Sequence, residues 1–101
     1  MRQPCVYLLC SKRYGTLYVG VTAYLAARLE QHELKADPHA FTARYGAHRL
    51  VWWEAHPTMP AAIAREKRIK KYPRQWKINL IESCNPEWAR MCPESGALLA
   101  G

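Results

Sequence analysis

Two apolar runs with a charged tetrapeptide between them constrain this chain more than any other feature. "CVYLLCS" (5–11) and "TLYVGVT" (16–22) are rich in β-branched and aromatic residues, and "KRYG" (12–15) supplies a short turn ending in glycine. The pair reads as a hairpin with one tyrosine on each strand, Tyr7 and Tyr18. Thr22 then stands ready to cap a helix over "AYLAARLEQHEL" (23–34), where Leu25 and Leu29 mark an apolar stripe.

Residues 35–48 are loop by their Asp-Pro and Gly content, and "RLVWWEAH" (49–56) is a third short strand. "PTMPAAIAREKRIKK" (57–71) begins a second helix, with Thr58 as its cap and Pro60 in its first turn. Tyr72-Pro73 ends that helix, because proline disfavours a helical residue before it. "PRQWKINLIES" (73–83) reads as a third helix. The order β-β-α-β-α-α predicts an α+β fold, a small three-stranded, mainly antiparallel sheet flanked by helices. At 101 residues there is room for one domain, placed at 1–82, with a polar tail at 83–101 that Trp88 helps to order.

Charge is unevenly spread. Residues 1–81 hold fourteen Lys/Arg against five Asp/Glu, a net +9, and residues 82–101 hold one against three, a net −2. The densest stretch, "REKRIKKYPRQWK" (65–77), carries seven cations and one acid. Such a stretch is either a solvated helix face or a polyanion-binding surface, and the interleaved Tyr72 and Trp76 favour nucleic acid, since bases stack on aromatic rings. Cys5, Cys10, Cys84 and Cys92 are too scattered for a zinc knuckle. No leader peptide and no membrane span are read, so the expectation is a cytoplasmic protein with reduced thiols and no membrane partner.

Chemistry-bearing residues stand out against that frame. Met59, Ala62, Ile63 and Ile69 form the apolar face of the second helix, and Glu66 falls within it. A buried carboxylate must be paired, protonated or bound to a cation. Glu66 is therefore a structural salt bridge or a metal ligand, and a lone hard oxygen donor suits Mg²⁺ or Mn²⁺. Arg28 and His32 are four apart on one flank of the first helix. Their bland readings are a salt bridge, with Glu66 as one partner, and a partly exposed polar side chain. Tyr7 and Tyr18, taken singly, are ordinary core aromatics.

Taken together, these residues form a recognisable pattern. The stretch from Val6-Tyr7 to Tyr18-Val19-Gly20 resembles the signature of the GIY-YIG endonuclease superfamily, here reading "CVY" and "YVG". Arg28 follows Tyr18 at the spacing of that family's arginine, His32 falls where members carry a tyrosine or histidine, and Glu66 lies on a helix similar to its "EA…E" helix. The resemblance covers roughly residues 4–82 and is closest to small stand-alone bacterial members, which are related to the nuclease domain of the excision-repair incision protein and to homing endonucleases. Cys5 replaces a glycine common in the family, and the downstream asparagine of larger members has no clear counterpart, with Trp76, Lys77 and Asn79 near its place.

The resemblance implies a metal-dependent endonuclease acting on DNA. Tyr18 would be the general base, Tyr7 would position water or phosphate, Arg28 would stabilise the phosphate, and His32 would act as relay or alternative base. Glu66 would hold the metal. Gly20 would permit close approach of backbone or substrate, and Lys12, Arg13, Arg44, Arg68, Lys70 and Lys71 would track phosphates. Alternatives are a nuclease of the same chemistry directed to RNA or preferring single-stranded or structured DNA, and a non-catalytic binding module, acting as a monomer, a weak homodimer or with a protein partner.

Overall fold

A computed structural model describes residues 2–33 and 46–92, apart from the side chains of His32 and Glu33. The described elements are β1 (Cys5–Cys10), β2 (Leu17–Thr22), α1 (Leu25–Glu33), β3 (Arg49–Ala55), α2 (Met59–Lys70) and α3 (Arg74–Cys84). The three strands form one antiparallel sheet in the order β2-β1-β3, so the fold is α+β with the expected order of elements. No described helix is long and apolar enough to cross a membrane.

The central position of β1 explains its sequence. All six of its residues are buried, because helices cover both faces of the sheet, and a strand buried on both sides has no polar alternation. Val6, Leu8 and Cys10 face a cluster that includes Ala62 and Ile69 of α2 and Ile78 and Ile81 of α3. Cys5, Tyr7 and Leu9 face the other way, against Leu25 and Leu29 of α1. Each fully buried isoleucine is worth about 1.5–3 kcal/mol of transfer free energy, so the α2–α3 side holds most of the core.

β3 carries an irregularity that its sequence does not announce. Leu8 pairs with Trp52 and Leu9 with Leu50, which leaves Val51 as an extra residue. This bulge turns both Val51 and Trp52 towards the α2–α3 core, while Leu50 and Trp53 face α1. Asn85, wholly buried, bridges that strand to the chain after α3. Its amide donates to the carbonyls of Val51 (3.0 Å) and Ala89 (2.8 Å), and its oxygen accepts from the Ala89 amide (2.9 Å).

Helix ends follow the local chemistry. Thr58 has extended backbone and its hydroxyl accepts from the Ala61 amide (3.3 Å), with proline in the first turn of α2, as expected. Thr22 does not cap α1 directly; its hydroxyl accepts from the Tyr24 amide (3.0 Å), shaping the turn before a helix that begins at Leu25. Ile63, expected on the apolar face of α2, is 37% exposed, because α2 buries only Ala62 and Ile69.

In the hairpin turn the left-handed residue is Tyr14 (φ +61°) and not Gly15. A bulky residue adopts that conformation only when its surroundings hold it there. The Tyr14 ring packs on Trp88 at 5.2 Å, its hydroxyl donates to Glu82 (2.9 Å), and Arg74 donates to its carbonyl (2.6 Å). Trp88 is also left-handed (φ +56°) and donates its indole N–H to the same Glu82 oxygen (2.8 Å). Residues 85–92 thus close the core, with Trp88 wholly buried and the Met91 amide bonded to the Leu50 carbonyl (2.9 Å).

Candidate active site

Strand register assembles the first part of the site. Tyr7 lies opposite Gly20 across the β1–β2 pair, and Tyr18 stands two residues before Gly20, so all three share the face towards α1. The glycine is required by the tyrosine. A Cβ on Gly20 would overlap the Cζ and hydroxyl of Tyr7 and would stand 2.9 Å from Tyr18 Cε1. The sequence predicts close approach of backbone or substrate at Gly20; the atoms that approach it here are those of the Tyr7 and Tyr18 rings. The two tyrosine rings are 6.2 Å apart between centroids and tilted by 44°.

α1 supplies the cation. Leu25 and Leu29 are buried in the Tyr7 cluster, and Arg28, on the exposed flank between them, reaches back over the two phenols. Its guanidinium hydrogen-bonds the Tyr7 hydroxyl, lies against that of Tyr18, and donates to Gln31 Oε1 at 3.1 Å. The hydrogen bond to Tyr7 raises the Arg28 pKa, partly opposed by burial. Burial pushes the Tyr7 hydroxyl far above the ordinary phenol range, Tyr18 adds to the shift, and Arg28 opposes it. Tyr7 is thus a neutral hydroxyl at any physiological pH, with no exposed surface. Tyr18 is only half-buried and gives the site its access to solvent.

Glu66 approaches from the opposite layer. It sits on α2 between the buried Ala62 and Ile69, and that helix packs on β2 and β1 from the Val19 side. Its side chain is only 13% exposed and pairs with Lys70 at 3.4 Å, one turn along the helix. The salt bridge considered between Arg28 and Glu66 does not form; among the described residues no acid pairs with Arg28. The structure therefore brings Tyr7, Tyr18, Gly20 and Arg28 into one cluster, with Glu66 on the helix beside the edge strand β2.

Other expected residues scatter more widely. His32 lies on α1, but its side chain is outside the described residues, as is the whole of Arg44. Arg13, in the hairpin turn, spans Glu87 (3.4 Å) and the ring of Tyr14 (5.3 Å), while Lys12 beside it is exposed. Arg68, Lys70 and Lys71 are exposed at the C-terminal end of α2. Asn79 accepts from Gln75 on α3 (2.9 Å), and Trp76 is 57% exposed. Sequence reasoning missed Gln31, which steadies Arg28; its spacing of three on one helix was the available signal. Cys5, Cys10 and Cys84 are free thiols, and the described residues contain no group of three or more His, Cys, Asp or Glu placed to hold a metal.

Two phenols and a guanidinium gathered on one face of a small α+β sheet are the grouping the sequence resemblance implied, and the match of the chain to a GIY-YIG catalytic domain places it in a nuclease class that acts on nucleic acid. The chain belongs to the GIY-YIG family, whose catalytic-domain model matches residues 3–79. It is 37% identical over 68 residues to a UPF0213 protein of Streptococcus sanguinis, covering 67% of this chain and 77% of that protein. It is also 37% identical over 78 residues to a UPF0213 protein of Staphylococcus aureus strain Mu3, covering 76% of this chain and 92% of the relative. No solved structure gives a significant match.

Proposed function

We propose that this protein is a divalent-metal-dependent endonuclease that hydrolyses phosphodiester bonds in DNA. The observation that carries this reading is the Arg28 guanidinium held against the hydroxyls of Tyr7 and Tyr18 at the surface of a nuclease domain. In-line attack of water on phosphorus builds negative charge on the phosphoryl oxygens, and a planar, permanently charged guanidinium is suited to meet it. Tyr18, half-buried beside Arg28, would take the proton from the attacking water, and Arg28 would hold the charge that forms. Tyr7, wholly buried and neutral, would act through its neighbours by fixing the direction of the guanidinium and of the Tyr18 ring. The positioning of water or phosphate expected of Tyr7 would be exerted through Arg28 and Tyr18, the neighbours its hydroxyl meets.

The donor set bears on the metal. Glu66 is a single, largely shielded hard oxygen donor. One carboxylate suits Mg²⁺ or Mn²⁺, which keep several waters and take remaining ligands from substrate phosphate. Held there, the ion would neutralise charge on the leaving oxygen. His32 is kept as the alternative base, one turn along α1 from Arg28.

Nicking assays on single- and double-stranded DNA and RNA, with Mg²⁺ or Mn²⁺ and with chelator, test the reading. Cleavage of DNA that needs the ion is expected. Cleavage of RNA alone would move the substrate class, and binding without cleavage of any substrate would leave a non-catalytic module.

A further inference from the structure

The corner between α2 and α3 carries an aromatic pair that the Tyr–Arg cluster does not use. Tyr72 and Trp76 meet edge to face, with centroids 5.3 Å apart and planes at 74°. The Tyr72 hydroxyl accepts from Arg65 Nη1 (3.2 Å), which fixes that ring. Trp76 is 57% exposed, whereas Trp52 and Trp88 are buried and Trp53 is half-buried. An open groove of about 400 Å³ runs from the two rings along α3 past Asn79 and Leu80 to Ser83. α2 and α3 cover the sheet face that carries Val6 and Leu8, so this surface lies on the opposite side of the sheet from Tyr7.

Charge selects the occupant. Residues 65–77 carry seven cations and one acid, and among the described residues no acid pairs with Lys67, Arg68, Lys71 or Lys77. Two copies of the chain joined through this face would bring two basic strips together. The fitting partner is polyanionic yet offers flat apolar surface, which describes a nucleobase on its strand. Bases inside a duplex are already stacked on their neighbours, so the base must be unpaired.

We infer that Tyr72 and Trp76 form a platform on which an unpaired base of the substrate strand stacks, with Arg68 and Lys71 holding the adjoining phosphates. The inference rests on the reading of nucleic acid as substrate and narrows it to strands with unpaired bases. Arg68 lies four residues before Tyr72 in the last turn of α2, and Lys71 immediately precedes Tyr72. Each base stacked on an aromatic ring contributes about 1–3 kcal/mol, or roughly 5- to 150-fold in affinity.

The test is binding of labelled oligo(dT) and of a matched duplex to the full chain in chelator, where no cleavage intervenes. Trp76→Ala should weaken oligo(dT) binding about tenfold or more, leave duplex binding unchanged and leave the salt slope intact. Trp76→Phe should restore most of the affinity. Lys71→Gln should lower the slope of log K against log salt by roughly 0.7, one phosphate contact on a single strand. An unchanged oligo(dT) affinity in Trp76→Ala overturns the platform, as does a wild-type chain that does not bind oligo(dT). A concentration-dependent dimer that Trp76→Ala abolishes would overturn it too, by making this the self-association face. Because the readout is binding alone, absence of cleavage elsewhere would count against the nuclease mechanism and not against this surface.

Discussion

Tyr7 occupies the space that a side chain on Gly20 would fill: the two face each other across β1 and β2, and a Cβ on the glycine would overlap the phenol end of the tyrosine. The site is thus set by a backbone position as much as by its functional groups.

Gly20→Ala should therefore displace the Tyr7 ring and, through it, Arg28. Overpacking of a close-packed interior typically costs about 1–3 kcal/mol, so urea denaturation should show a loss of that order. Cleavage should fall through kcat, with DNA affinity held. An alanine variant of normal kcat would show that the tyrosine's position is immaterial.

Arg28→Lys keeps the charge but loses the planar fork that spans two phenols. Its kcat should fall by about 10²–10³, the range seen when one preorganised charge-stabilising donor is removed. Tyr18→Phe should abolish cleavage while the melt and DNA binding stay unchanged. Undiminished turnover in Tyr18→Phe would reassign the base, with His32 next to be substituted.

Glu66 offers a readout besides activity. Its pair with the exposed Lys70 is a helical i,i+4 pair, worth only about 0.3–0.5 kcal/mol, so Glu66→Gln should hardly alter stability without metal. Added Mn²⁺ should raise the melting temperature of the wild type and not of Glu66→Gln, since only a bound ion stabilises the folded state. Equal shifts in both proteins would place the ion elsewhere.

Stability should fall at both ends of the pH range. Hydrogen bonds from Trp88 and then Tyr14 lower the Glu82 pKa below its ordinary value. The stabilisation this gives is present at neutral pH and is lost as pH falls through the lowered value, so Glu82→Gln should flatten the acid limb. At alkaline pH the signs reverse. Burial pushes the thiols of Cys5 and Cys10 up from 9.0 to about 11, with Arg49 partly opposing it at Cys10. Their contribution is complete below pH 9.0 and is lost as pH rises towards about 11. The double variant Cys5→Ala/Cys10→Ala should lose that slope, whatever its absolute stability; an undiminished slope would locate the alkaline transition in other groups.

Much of the architecture was legible because its causes are local. A two-residue period on β2 puts Tyr18 and Gly20 on one face, and a 3.6-residue period sets Arg28 beside the Leu25/Leu29 stripe. Thr58, Pro60 and Pro73 mark helix ends by chemistry confined to a few residues. What the tertiary structure alone decided depends on partners distant in the chain. The bulge at Val51 exists because β3 must fill a core built by α2 and α3. The left-handed backbone of Tyr14 is held by Glu82, Arg74 and Trp88, some sixty to seventy-four residues further on. Complete burial of Tyr7 follows from the central place of β1, set by pairing with strands on both sides. Local periodicity determines which way a side chain points; only the packed neighbours determine what it meets there.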